Sequence, residues 1–182
     1  MADKSSNKAA AEQPIVVNAQ YIKDLSFEAP AAPGVFAKMQ DESPDISVNI
    51  NVGANPIQDK TFEVVLEIRA ECKIKGDVAF ILELEYAGVF TVNVPDEHMQ
   101  PVLLIECPRL LFPFARNILA DVSRDGGFPP LMLGPLDFAG MYQARLQEAK
   151  KATADGADAP ANDPGEDQDA DKKDPAPNES PS

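Results

Sequence analysis

Basic residues are scarce in this 182-residue chain, which has 16 lysines and arginines against 30 aspartates and glutamates. The formal net charge is therefore −14. A chain this acidic repels nucleic acid and anionic membrane surfaces, so we expect neither as a partner. Basic protein surfaces are the partners that such a charge favours.

The residues that enzymes and metal sites use most are also nearly absent. Histidine occurs once, at His98, and Cys72 and Cys107 form no CxxC pair. A metal site needs about three protein ligands, and a catalytic base needs a reacting group within reach. No phosphate-binding glycine loop or nucleophile-elbow motif occurs. We therefore predict no enzyme activity, no catalytic residue, no metal and no cofactor. His98 is expected at the surface or in a cap, and both thiols are expected to be buried in a reducing compartment.

Long apolar runs are missing as well. The apolar stretches are short and broken by proline or charge, as in Val102–Ile105. None approaches the ~20 residues of a transmembrane helix. A secretory signal has an apolar segment after its first charges, and the first residues here, MADKSSNKAAAEQ, have none. We expect a cytoplasmic protein that does not insert into membranes.

Composition divides the chain into three parts. Residues 1–13 are polar, which predicts a flexible N-terminal arm. Residues 151–182 contain no valine, isoleucine, leucine, methionine or aromatic residue, and they carry nine acidic residues against three lysines. Such a segment cannot bury enough apolar surface to offset its ordering entropy, so we predict a disordered acidic tail. The folded domain is expected at 14–150.

Apolar and polar residues alternate along 14–28, 46–54, 61–74 and 78–92, which predicts four strands with one buried and one solvated face. In the first segment the odd positions are apolar, with Lys23 as the exception. In the others the even positions are apolar. Turns are predicted at 53–60 and 75–77, so the last two strands should form a hairpin. The acidic residues on the solvated face are Asp24, Glu28, Glu63, Glu67, Glu71, Glu83 and Glu85.

Residues 93–108 are interpreted as a crossover with helical pieces. Asp96 is the expected cap. Pro101, Pro108 and Pro113 lack an N–H donor, so no regular helix is expected before about residue 110.

Two helices are predicted after the crossover. The first covers about 109–124 and ends at Gly126-Gly127. Its apolar residues cover more than one stripe, which predicts a contact with a second subunit. The last covers about 137–149, with Asp137 as its cap. The expected fold class is α+β, a four-stranded antiparallel sheet with two helices packed on one face.

Three segments resemble the bacterial SecB chaperones: YIKDLSFEAP at 21–30, AFILELEYAGVF at 79–90 and LFPFARNILADVSRDGGFPPLMLGPLDF at 111–138. The resemblance extends collinearly over about residues 14–147. It implies a homotetramer, a dimer of dimers with the helices sandwiched between the sheets. It also implies an ATP-independent chaperone that binds unfolded secretory precursor proteins, keeps them translocation-competent and delivers them to the SecA ATPase.

The resemblance also implies two sets of site residues. The family contacts SecA through the acidic sheet face, and the matching positions are Asp24, Glu28, Ile81 and Glu83. Family members commonly carry leucine where Ile81 stands. Clients bind in an apolar groove, whose candidate residues are Tyr86, Phe90, Val92, Met99, Leu103, Leu104, Phe112 and Phe128. Core or subunit-interface packing is the alternative for these residues.

The sequence leaves two alternatives to the chaperone. One is an adaptor whose acidic face recruits a basic partner while packing closes the groove. The other is a small-ligand or enzymatic domain, which the lack of a convergent polar site disfavours.

Overall fold

The computed structural model describes residues 13–40 and 42–155. The chain divides into one compact unit that ends at Leu146 and a second that begins at Gln147. Nearly all of the predicted arm and the predicted tail after Asp155 lie outside the described residues. Among the described residues, no helix is long and apolar enough to cross a membrane.

The first unit contains a single four-stranded antiparallel sheet, as predicted. Its strands are β1 (Ile15–Glu28), β2 (Asp45–Gln58), β3 (Thr61–Ile74) and β4 (Asp77–Val92), in the order β1-β4-β3-β2. Strands β1 and β2 are therefore the two edges, and their connection contains a short helix, α1 (Gly34–Lys38), that was not predicted.

The turns of the sheet agree with the prediction only in part. Lys75 and Gly76 join β3 to β4 with φ angles of 53° and 83°, and a two-residue turn with positive φ suits the twist of a hairpin. The turn predicted to begin at Gly53 is wrong, because β2 continues to Gln58. Pro56 lies within β2, which is possible because β2 is an edge strand and an edge strand tolerates a residue without an N–H donor.

Strand β1 contains two β-bulges, which the odd-position pattern did not predict. The pairing with β4 shifts between Val17 and Ala19 and again between Ile22 and Asp24. Each bulge adds an unpaired residue and reverses the alternation of faces. Tyr21 therefore pairs with Ala87 on the acidic face, whereas Ile22 pairs with Tyr86 on the opposite face. The prediction that odd positions face the core is therefore wrong between the two bulges. Lys23 is the unpaired residue of the second bulge.

The crossover is helical from Asp96 onward, so the predicted helical pieces are confirmed, but the expectation of no regular helix before about residue 110 is wrong. Helix α2 (Asp96–Pro101), a π-helical segment (Val102–Glu106) and α3 (Cys107–Asp125) follow one another directly. The Cys107 N–H donates to the Val102 carbonyl, the longer bond of a π-helix. Pro108 stands in the first turn of α3, where a missing N–H is tolerated.

The caps of the helices agree with the predictions except at the start of α2. Asp96 is already within α2 and forms no side-chain cap bond. Helix α3 ends at Asp125, before Gly126 and Gly127. The Gly140 N–H donates to Asp137 Oδ1 at 2.9 Å, which caps α4 (Phe138–Asp155). Because α4 runs to Asp155, it includes the first residues of the segment predicted to be a disordered tail.

Helix α3 covers one side of the sheet, here called the inner face; the acidic side is the outer face. Leu111, Ala115 and Leu119 of α3 are fully buried in one core with Leu66 of β3 and Leu84 of β4. Cys72 and Cys107 are free thiols buried in the same core, as predicted, and burial raises the pKa of Cys107 to about 12.

Candidate functional site

The outer face carries its acidic residues in rows that cross the strands. The pairing aligns Asp24, Glu85 and Glu67 in one row, Ser26, Glu83 and Arg69 in the next, and Glu28, Ile81 and Glu71 in the third. The structure thus brings together all four positions that the family resemblance assigns to the ATPase contact, namely Asp24, Glu28, Ile81 and Glu83. A depression of about 390 Å³ lies in this face, and four carboxylates and Arg69 are among its lining residues.

Only part of this acidic face is neutralised by ion pairs. Glu83 forms an ion pair with Arg69, and Glu71 pairs with Lys73 at 2.7 Å, which lowers the pKa of Glu71. Asp24 and Glu28 form no ion pair with any described residue. The carboxylates of β1 are therefore among those open to a basic partner.

Glu63, predicted as part of the acidic face, forms a hydrogen bond and an ion pair with residues of β1. Tyr21 donates its hydroxyl hydrogen to Glu63 Oε1, and Lys23 Nζ lies 2.8 Å from Glu63 Oε2. These bonds lower the pKa of Glu63, and the bond to Glu63 raises the pKa of Tyr21. Sequence reasoning missed this cluster, although the break of alternation at Lys23 was its signal.

The inner face ends in an aromatic cluster centred on Phe128. Its ring centroid lies 5.0 Å from Phe80, 5.2 Å from Phe36 and 6.2 Å from Phe27. The segment that carries Phe128 is anchored to α3 through Ser123, because the Leu131 N–H donates to Ser123 Oγ at 2.8 Å. The Ser123 hydroxyl in turn donates to the Leu119 carbonyl at 2.8 Å.

An apolar groove of about 370 Å³ lies beside this cluster. Its lining residues are Met39, Glu42, Pro44, Ile46, Cys72, Ile74, Phe80, Phe128, Pro129, Pro130, Leu131 and Met132. Met132 is 69% exposed, so the groove opens to solvent at that end. Most of these residues were not predicted. The groove lies between the α1–β2 connection and the segment after α3, and the spacing of apolar residues along the chain does not show which distant segments come into contact.

The other candidates for the client groove are placed differently. Phe90 and Val92 are fully buried in the core, and Tyr86, Leu103 and Phe112 are nearly so. Met99 and Leu104 are half-buried against that core. Of the predicted set, Phe128 alone lines the apolar groove, and the structure does not bring the set together as one open surface. The packing alternative therefore describes the buried residues better, since they belong to the one hydrophobic core.

An apolar strip remains uncovered between β1 and α3. It contains Ile22 and Leu25 on the inner face of β1 and Leu110 and Phe114 on α3. The Phe114 ring is 52% exposed and stacks on Tyr86 at a centroid distance of 6.4 Å. The surplus apolar surface predicted for this helix is thus present within the described structure.

The described residues contain no group of three or more metal-ligating side chains. His98 is exposed and lies 3.4 Å from Glu97. An acidic sheet face, an apolar groove and an exposed apolar strip on an α+β fold are the kinds of surface through which proteins bind other proteins. The family model described as preprotein translocase subunit SecB matches residues 8–149, and the chain belongs to the SecB family.

The chain is similar over most of its length to curated relatives. It is 56% identical to the protein-export protein SecB of Rhodospirillum rubrum, over 85% of this chain and 96% of that protein. It is 58% identical to the SecB of Paramagnetospirillum magneticum, over 72% of this chain and 85% of the other. A solved SecB-like chaperone of Mycobacterium tuberculosis, in complex with an antitoxin peptide, shares the fold with a TM-score of 0.54. It is 17% identical and covers 68% of this chain and 91% of its own.

Proposed function

We propose that this chain binds unfolded precursor proteins without ATP, keeps them translocation-competent and delivers them to the SecA ATPase in the cytoplasm. The role of a protein-export chaperone follows from membership of the SecB family. One observation carries the finer proposal: the acidic rows and the apolar groove lie on opposite faces of one sheet. A client and an ATPase could therefore be bound at the same time.

The ATPase contact is assigned to Asp24, Glu28, Ile81 and Glu83. Asp24 and Glu28 offer carboxylates without a described ion-pair partner, and Ile81 lies between Glu28 and Glu71 in the third row. This arrangement suits a basic segment with one apolar side chain. Because the face is exposed, we expect the docking affinity to fall with added salt.

The client site is assigned to the apolar groove beside Phe128. Met39 and Met132 line it together with aromatic and proline side chains. Flexible methionine side chains suit a surface that must repack around many sequences. Tyr86, Phe90, Val92, Leu103 and Phe112 are assigned to packing.

The apolar strip is assigned to contacts with further copies of the chain in a dimer of dimers. Assembly would remove the exposed apolar surface of Leu110 and Phe114 from water. Complete burial of an exposed side chain of this size contributes about 1.5–3 kcal/mol, and these half-exposed side chains contribute roughly half of that. Strand β1, as a sheet edge, borders the same strip.

Calorimetric titration with one slow-folding secretory precursor, once unfolded and once folded, tests client binding without ATP. We expect binding to the unfolded form alone, with a negative heat-capacity change from apolar burial. Equal affinity for both forms would contradict the chaperone proposal. The adaptor alternative, in which packing closes the groove, instead predicts docking of a basic partner without any affinity for the unfolded client.

A further inference from the structure

Arg69 is a cation in the middle of the acidic rows. It stands directly opposite Glu83 on the neighbouring strand and forms an ion pair with it. Its other terminal nitrogen lies 3.8 Å from Glu71 in the next row. Arg69 thus contacts carboxylates of two rows and lines the depression in the outer face.

The partners of Glu83 are few. Ser26, its neighbour on β1, lies at a weak hydrogen-bond distance of 3.5 Å from Oγ to Glu83 Oε2. The ion pair itself is open to water, since the Arg69 and Glu83 side chains are 46% and 45% exposed. Exposed pairs of this kind are weak, so an incoming cation can replace the guanidinium.

We propose that Arg69 is an internal competitor for the basic partner and sets the affinity of the acidic face. A lysine or arginine of the docking segment takes the place of the Arg69 guanidinium at Glu83. This residue lies on β4 opposite Ser26, which stands between Asp24 and Glu28 on β1. This inference rests on the proposed docking of SecA and names a residue that determines its strength. A residue that only stabilised the sheet would weaken docking, or leave it unchanged, when removed.

The Arg69→Gln variant tests the competition with purified SecA of Rhodospirillum rubrum as the probe. We expect docking about twofold to fivefold tighter at low salt, the range of an exposed ion pair, with the gain lost near 1 M salt. Arg124→Gln is the matched control. It removes the same charge from α3, across the sheet, where Arg124 pairs with Asp121 at 2.9 Å. Docking of this control should match the wild type.

A double-mutant cycle with Glu83→Gln shows whether Arg69 acts through Glu83. In the Glu83→Gln background, most of the gain from Arg69→Gln should disappear. Arg69→Thr, which suits a strand, repeats the test if Arg69→Gln folds poorly in a thermal melt.

Two other results would overturn the inference, and they are distinguishable. If Glu83→Lys abolishes docking while both Arg69 variants dock no tighter than the wild type, the competition is wrong and the docking surface stands. If neither Glu83→Lys nor Asp24→Lys changes docking, the proposed surface itself is wrong and the inference fails with it.

Discussion

Glu63 is held by Lys23 and Tyr21, and this contact makes the stability of the fold depend on pH. The two bonds lower the pKa of Glu63 below its usual 4.5, so the unfolded chain binds this proton more readily than the folded one. The stability that this contact contributes is therefore complete above pH 4.5, and it is lost as the pH falls through the lowered pKa of Glu63 in the folded chain. Sequence reasoning placed Glu63 on the outer face but could not predict this pairing, which depends on a bulge.

The Glu63→Gln variant should lose about 0.2–1 kcal/mol of unfolding free energy at pH 7, the value of an exposed ion pair. Its deficit should shrink as the pH falls below 4.5. Urea unfolding across the acid range measures both. Glu28→Gln, at a carboxylate without a described ion-pair partner, is the control. A deficit that stays constant with pH would contradict the assignment.

Ser123 is a buried hydroxyl whose role no sequence pattern predicts, because periodicity reports apolar spacing and not hydrogen bonds. Replacing it with alanine leaves the Leu131 N–H without its acceptor in the core. An unsatisfied buried donor costs about 1–3 kcal/mol. We expect Ser123→Ala to lose that much in urea unfolding and to weaken client binding, since the groove segment loses its anchor. Exposed Ser47→Ala should change neither, and a neutral Ser123→Ala would show that the anchor is dispensable.

At the scale of elements, apolar spacing predicted every strand and both long helices, and it failed where backbone geometry departs from a regular repeat. The bulges in β1 reverse a two-residue period that sequence reasoning extends without interruption. Between Pro101 and Pro108 the chain forms a π-helical segment in which the Cys107 N–H donates to the Val102 carbonyl. The prediction that these prolines interrupt the helix is therefore wrong. Strand order was not predicted, because alternation reports a face and not a neighbour.

The contact between α3 and the sheet depends on a glycine. A Cβ at Gly88 of β4 would lie 2.6 Å from the Phe90 ring and 2.8 Å from Leu111 of α3. Such overpacking costs about 1–3 kcal/mol. Gly53 of β2 is the matched control, since a Cβ there meets nothing within 4 Å.

We expect Gly88→Ala to lower the urea midpoint and Gly53→Ala to leave it nearly unchanged. Equal effects of the two substitutions would mean that α3 does not approach the sheet at Gly88.

At the scale of the whole molecule, the described residues present three surfaces, and the sequence predicted some of them better than others. The acidic face followed from alternation, and the surplus apolar surface of α3 followed from its helical spacing. The apolar groove was missed except for Phe128, because its walls come from segments distant in sequence. Phe90 and Val92 are fully buried, so they belong to none of these surfaces.

If the strip holds copies together and the groove holds clients, substitutions on the two surfaces should separate assembly from client binding. Phe114→Glu places a charge where a second copy packs, so we expect a lower mass in light scattering with the helical content retained. Met132→Glu changes an exposed groove residue, so the mass should be kept and the affinity for the unfolded precursor should fall about tenfold, the cost of a charge in an apolar contact. An unchanged mass for Phe114→Glu would contradict the role of the strip. A lower mass for Met132→Glu would instead place the subunit contact at the groove.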